Sequence, residues 1–525
     1  MKARCFRNFA TALSVAALLP AGAAFAETTL RVVGHAALKM LDPVNTTAYI
    51  TRNHGYFIYD TLFSIDDSFA PQPQMVDTWA VSADGLTYSF TLREGLAFHN
   101  GAPVTAEDCI ASIQRWAQRD AIGKRMAKHV EAMTATGATS FEIKLSSKFG
   151  ALIDGFAKPS SLPLFIMPAD IAATPASEQI KAYIGSGPFK FVADDFQPGV
   201  RAVYEKNADY LPRVEPASGL AGGKIVKVDR VEYLSFPDSQ TVVNALKQGE
   251  VDMVESVTPD MAKQLADDKD VVIAATAAKF VPVVRFNWLQ PPFNDPKARQ
   301  AVLYGLSQYD FMAAQIGDEK YYQICGAMFG CGTQLETEVG AVQTAEYPDL
   351  KKAKELLAQS NYKGEKVIVL QPTDLPTLSA IPPLMVQVLQ QIGFNAEAAP
   401  MDWASYLQRR NSQAPVADGG WSVAFGSWNM LDLVSPISNL NLDTAGAEGY
   451  AGWSSDPVMA ELKDAFAAAE SVAEKKQLAE EIQKRAYELV FAIPLGTWSR
   501  TAAWGQNIHG RINAPVSIYW NVSKD

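Results

Sequence analysis

Short runs of alternating hydrophobicity and capped helical stripes follow one another along this chain without a long internal repeat, and that order constrains the fold more than composition does. "TLRVVGHA" near the start and "TYSFTLR" from Thr87 alternate as strands, and clusters of Gly, Pro and Asn supply the turns. In "NDPKARQAVLYGL", Asp295 can cap, Pro296 can open the first turn, and Ala298, Val302 and Leu306 recur every four residues. "SSDPVMAELKDAF" repeats the device with Asp456 and Pro457, and "QLAEEIQKRAYELV" puts Leu478, Ile482, Ala486 and Leu489 on one face. Strands alternating with core-facing helices predict an α/β protein.

The first 26 residues, "MKARCFRNFATALSVAALLPAGAAFA", have a basic start, an apolar stretch and small residues before Glu27. This pattern reads as a cleavable signal peptide, cut after Ala26, and predicts a periplasmic protein. Cys5 precedes the apolar stretch, so no cysteine follows the cut to carry a lipid anchor. No later segment reaches the roughly 20 apolar residues that cross a bilayer. With 48% hydrophobic and 20% charged residues the chain suits a compact protein, and its 525 residues suit two or three domains. Loss of Lys2, Arg4 and Arg7, with no acid, takes the formal charge from -11 to -14. Such an acidic surface argues against nucleic acid and anionic lipid as partners.

In an oxidising compartment Cys325 and Cys331, six positions apart in the glycine-containing "CGAMFGC", are expected to form a disulfide. Cys109 lies in "TAEDCIASIQRW", where Thr105 and Asp108 form a capping pair and Ile110, Ile113 and Trp116 a helical stripe, and reads as a buried small hydrophobe. The five histidines are scattered without metal-ligand spacing, and no nucleophile elbow, zinc-protease motif, phosphate loop or dinucleotide fingerprint occurs. The expectation is a binding protein without cofactor or metal rather than an enzyme; a periplasmic hydrolase with two distant carboxylates is the remote alternative.

The stretch from Trp79 to Asp108, "WAVSADGLTYSFTLREGLAFHNGAPVTAED", resembles periplasmic solute-binding proteins of ABC importers of the peptide and nickel class, family 5. "GSGPFKF" at 185–191, "VVNALKQGEVDMVESV" at 242–257 and "RFNWLQPPFNDPKARQAVLYGLSQYDF" from Arg285 extend that resemblance in order. It implies a type II two-lobed fold with an additional domain inserted in the first lobe. The expected limits are 27–60, 186–275 and 491–525 for the first lobe, 61–185 for the additional domain and 276–490 for the second lobe. Hinges are expected near "KFVPVVRFNW" and "FAIPLGTWS". The implied function is capture of a short peptide or similar amine-bearing solute for a membrane permease and its ATPase subunits, by a monomer without stable anchor. A nickel chelate, haem, opine or oligosaccharide is the alternative cargo.

One carboxylate stands out in "FGSWNMLDLVSPISN", where Asp432 sits in an otherwise apolar run between Trp428 and Pro436. Taking an ionised carboxylate out of water costs several kcal/mol unless a cation or several donors meet it. Asp432 is therefore either a solvated loop acid or helix cap, or a group waiting for a ligand cation. Peptide-binding members of the resembled family pair an aspartate at this spacing from a proline with the peptide ammonium, which implies that role for Asp432 beside Trp428. The gap from Trp428 is one residue longer than in that pattern, and Ser435 stands where many relatives carry an acid. Asn287, Trp288 and Trp498 join the candidate site, with Arg285 as a counter-charge for a ligand carboxylate.

Overall fold

The computed structural model describes residues 27–236, 238–342, 348–373, 375 and 378–525. The signal-peptide reading thus lies outside the described residues.

Twelve strands form one mixed sheet. Its order is Phe189–Phe191, Arg201–Lys206, Arg230–Leu234, Thr29–Val33, Met253–Val254, Thr497–Gly505, Val271–Phe286, Val423–Asn429, Lys366–Pro372 and Asn395–Met401, with Tyr322–Gln323 and Ile493–Pro494 paired beside the centre. Thr29–Val33 runs parallel to both its neighbours, as does Lys366–Pro372 at the other end. Parallel neighbours need long crossovers, and the helical segments supply them. Helices Ser239–Lys247 and Pro259–Leu265 pack Val242, Val243, Leu246, Met261 and Leu265 against Val33, Val254 and Ala503 at one end. Pro296–Gly305, Leu350–Ala358 and Ile381–Ile392 pack together at the other.

Between these ends the sheet is antiparallel. Val271–Phe286 pairs first with Thr497–Gly505 and then with Val423–Asn429. Its 16 residues, at about 3.3 Å each, reach roughly 50 Å, far enough to serve both halves. The register shifts between Ala275 and Lys279. There the ladder is replaced by side chains: Ala277 N–H donates to Asn513 Oδ1 at 2.7 Å and Ala278 N–H to Thr276 Oγ1 at 3.3 Å. Both expected hinge stretches fall on these central strands and their approach.

A separate four-stranded antiparallel sheet holds Val76–Val81, Thr87–Leu92, Ser140–Leu145 and Val130–Ala135. Tyr88, Phe90 and Leu92 are its buried alternates, as the sequence pattern requires. Helix Ala106–Ala117 contacts this sheet, and its capping box is complete: Asp108 N–H donates to Thr105 Oγ1 while Thr105 N–H donates to Asp108 Oδ2. Cys109, Ile113 and Trp116 are buried from it. Arg115, on the same helix, reaches Asp42 of the N-terminal segment with bonds of 3.1 and 2.7 Å, both side chains being almost wholly buried. Asp42 also accepts from Val44 and Ile180 N–H, so one carboxylate ties three segments together.

Asp295 and Asp456 cap their helices through Lys297 and Met459 N–H, with Pro296 and Pro457 in the first turn. His99 serves the turn at Phe98–Ala102, its backbone N–H and Nε2 meeting Gly185 and Gly187 carbonyls. Cys325 and Cys331 are joined in a disulfide, and Cys109 is a buried free thiol whose pKa burial raises. Peptide mapping of periplasmically produced protein is therefore expected to recover the 325–331 disulfide and Cys109 as a slowly alkylated thiol. Alkylation of both loop cysteines without reductant contradicts the pairing. Closing so short a loop adds about 2 kcal/mol at most, so its main effect is local order. No described helix is long and apolar enough to cross a membrane.

Candidate functional site

Strand Val423–Asn429 ends in a short 3-10 turn, Met430–Asp432, whose Leu431 N–H donates to the Asn429 side-chain oxygen. The turn carries Asp432 inward to 7% exposure. Tyr49, at the start of helix Tyr49–Ile58, donates its hydroxyl to Asp432 Oδ2 at 2.5 Å and accepts Asn429 N–H at 3.1 Å. A side chain from the N-terminal segment thus closes over the strand end of the other half. Asp432 Oδ1 is buried and has no hydrogen-bond partner. These facts remove the solvated-acid and helix-cap readings of Asp432.

Burial raises the Asp432 carboxyl above its ordinary value, against the Tyr49 hydrogen bond, the polarity of the nearby Ser160 hydroxyl and the charges of Lys158 and Arg52. Both cations are engaged elsewhere. Lys158 pairs with Asp120 at 2.5 Å, and Arg52 donates to Ser160 and Asn53. Burial, then the Asp432 charge, pushes the Tyr49 hydroxyl well above its ordinary value, so it remains the donor. A raised native pKa means that the folded state holds the proton more tightly than the unfolded chain. This stabilisation is complete below the unfolded carboxylate value and is lost as pH rises through the native one. Asp432→Asn is accordingly expected to raise the Tm of the ligand-free protein at about pH 8 and to change it less at about pH 4. Equal shifts at both pH values contradict the assignment of the strain to ionised Asp432.

The wall beside this carboxylate is aromatic. Tyr49 meets the Phe280 ring edge-on at 6.4 Å, and Phe280 stacks on Trp498 at 5.0 Å. Cross-strand register explains the grouping, because Phe280 pairs with both Asn429 and Trp498, and Trp498 with Tyr322. The Trp498 indole N–H and Tyr322 hydroxyl are buried without partners.

The remaining sequence candidates divide. Trp428 alternates with Asn429 along the strand, pairs with Val281 and packs with Val283, Met430 and Leu433, while its ring meets Tyr450 at 5.8 Å. Arg285 lies over the other side of that assembly, its guanidinium 4.4 Å from the Tyr450 ring and bonded to Leu440 O and Asn441 Oδ1. Burial lowers its pKa to about 10. Asn287 is fully buried and spends its amide on Trp421 O and Leu289 N–H. Trp288 packs on Phe491 at 4.9 Å under the Arg299 guanidinium at 3.5 Å. Among the predicted residues, then, the structure joins Trp498 to Asp432 through Tyr49 and Phe280; it does not bring Arg285, Asn287 or Trp288 into contact with that carboxylate. Tyr49, Arg52, Ser160 and Phe280 had no flag in the sequence.

The profile described as "Bacterial extracellular solute-binding proteins, family 5 Middle" matches residues 70–448. The chain belongs to that family. A family relative from Sinorhizobium fredii, described as "Probable peptide ABC transporter periplasmic-binding protein y4tO", is 37% identical over 519 residues, covering 98% of this chain and 97% of its own. The glutathione-binding protein GsiB of Escherichia coli K12 is 24% identical and covers 80% of each chain. Among solved structures, the family 5 fold is shared with the Agrobacterium tumefaciens protein AgaA in complex with agropinic acid, at a TM-score of 0.76, 22% identity and coverage of 95% and 99%. Helicobacter pylori DppA in complex with the peptide STSA matches at 0.75, with 21% identity and coverage of 95% and 98%. The two-lobed type II architecture follows from these likenesses, and the chain is a solute-binding protein of family 5.

Proposed function

We propose that this family 5 protein captures a short peptide, or an amine-bearing solute of similar size, and delivers it to the permease of its importer. The observation that carries this reading is the Asp432 carboxylate: one oxygen is held by Tyr49 from the opposite half, and the other is buried without a partner. A ligand ammonium completes the set, and the charge-assisted bond fixes its orientation. The flanking rings of Tyr49, Phe280 and Trp498 provide apolar contact at little entropic cost. The peptide description of the Sinorhizobium relative supports the same cargo class.

The proposal extends to cleavage after Ala26, action in the periplasm as a monomer, and the lobe limits given above. Trp428, on the neighbouring strand position, remains a proposed wall residue of the cleft. Arg285, Asn287 and Trp288 support the second lobe's interior in this reading. Closing of the two halves about the cargo is the signal to the permease. Native mass spectrometry of protein from periplasmic expression tests the assignment. The expected result is a bound solute in one-to-one ratio, carrying a primary amine, and a peptide pool returned uncut after incubation. Steady cleavage of the pool, or a cargo without a basic nitrogen, contradicts it.

A further inference from the structure

Beyond Phe280 on the same side of the central strands stands Arg500, its guanidinium 4.6 Å over the Phe280 ring. It is two positions after Trp498 in strand Thr497–Gly505, so alternation returns both side chains to one face. No described residue gives the guanidinium a hydrogen bond or an ion pair. The nearby carboxylate, Glu255, is already saturated. Its Oε2 accepts His35 N–H at 3.1 Å and Nδ1–H at 2.7 Å, and its Oε1 accepts the Tyr519 hydroxyl. Burial opposes the Glu255 charge, yet these bonds and Tyr233 hold it well below the ordinary carboxylate range. Burial and the Arg500 charge lower His35, which stays the neutral donor.

Arg500 opens onto a cavity of about 40 Å³, lined also by Glu255, Thr276, Arg511, Asn513 and Ser517. A single water needs roughly 10–15 Å³ on this measure, so the space takes a carboxylate-sized group and excludes a whole peptide. Asn513 spends its carbonyl oxygen on the bulged strand at Ala277, which leaves its amide N–H groups as donors. Two guanidiniums against one carboxylate give the cavity a net positive lining. Arg511 is held by stacking, 3.7 Å from the Trp504 ring. Burial lowers the Arg500 pKa against the charge of Glu255, and the guanidinium has no ion-pair or hydrogen-bond partner in contact among the described residues, so an arriving anion relieves part of its desolvation cost.

We infer that Arg500 and Asn513 form a carboxylate subsite, so the ligand is zwitterionic, with its ammonium at Asp432 and a carboxylate beyond Phe280. This inference rests on the ammonium reading of Asp432 and deepens it by adding the second charge. It selects peptides with a free C-terminus, or amino-acid conjugates bearing a carboxylate at like distance, over amines without one.

The test offers a synthetic pool of di- to tetrapeptides in three forms: free at both ends, C-terminally amidated, and N-acetylated. Capture and affinity are read by native mass spectrometry and calorimetry on the native protein, Arg500→Gln and Arg500→Lys. Amidation is expected to weaken binding to the native protein on the order of tenfold to a hundredfold, and Arg500→Gln to weaken the free form similarly while changing the amidated form little. Arg500→Lys, which keeps the charge, should fall between. Equal binding of free and amidated peptides by the native protein overturns the subsite whatever the variants do, because that comparison needs no mutation. Sensitivity to acetylation alone then leaves the Asp432 reading standing, whereas indifference to acetylation sinks that reading separately. Capture of no pool contradicts both.

Discussion

Asp432→Asn is expected to bind an amine-bearing ligand on the order of a hundredfold or more weakly than the native protein, with the fold intact. The substitution keeps size and the Tyr49 contact but removes the charge. A ligand ammonium would then be desolvated opposite a neutral amide, and breaking one member of a buried pair costs roughly 3–5 kcal/mol. Folding should not suffer, because Asp432 Oδ1 satisfies nothing inside the protein. The matched control is the same ligand with its amine acetylated. It should bind the native protein poorly and lose little more to the variant, so that calorimetry on both proteins with both ligands isolates the charge pair. Binding of the free amine by Asp432→Asn within about threefold of native would return Asp432 to a structural role.

The second large effect concerns stability rather than binding. Arg115→Met is expected to destabilise the protein by about 3–5 kcal/mol, because Asp42 is left buried with two backbone donors and no cation. The cost should appear as a lower urea midpoint together with earlier proteolysis around helix Ala106–Ala117, which the pair fastens to the N-terminal segment. Combining Arg115→Met with Asp42→Leu removes both charges and should recover much of the loss, since apolar replacements of buried pairs are often neutral or better. A single variant as stable as the native protein would show that the pair only offsets its own desolvation.

The local devices of this fold were legible in the sequence because each is satisfied within a few residues. Asp295 and Asp456 cap where the Asp-Pro pairs predict, and the Thr105–Asp108 box closes as written. Asp432 was legible as an anomaly, a charge in an apolar run whose cost demanded a partner. What that partner set would be was not. Tyr49 lies 383 residues from Asp432 in the chain, and nothing near "TTAYITRN" marks its hydroxyl for that carboxylate. Trp428 shows what sequence nearness leaves open: alternation along Val423–Asn429 gives Trp428 and Asn429 opposite faces, so the ring beside Trp428 is Tyr450 rather than Phe280. Asn287 and Trp288 follow the strand that carries Arg285, and their polar and ring contacts close the second half's interior. Arg500 could have been found by the same alternation, two residues beyond Trp498.

A crystal structure of the protein with the cargo it retains through purification tests the central claim most directly. The account predicts a ligand nitrogen within about 3 Å of Asp432 Oδ1, with Tyr49 still bonded to Oδ2 and the ligand body against Phe280 and Trp498. A cargo bound elsewhere, or one that meets Asp432 only with apolar or anionic groups, would contradict it.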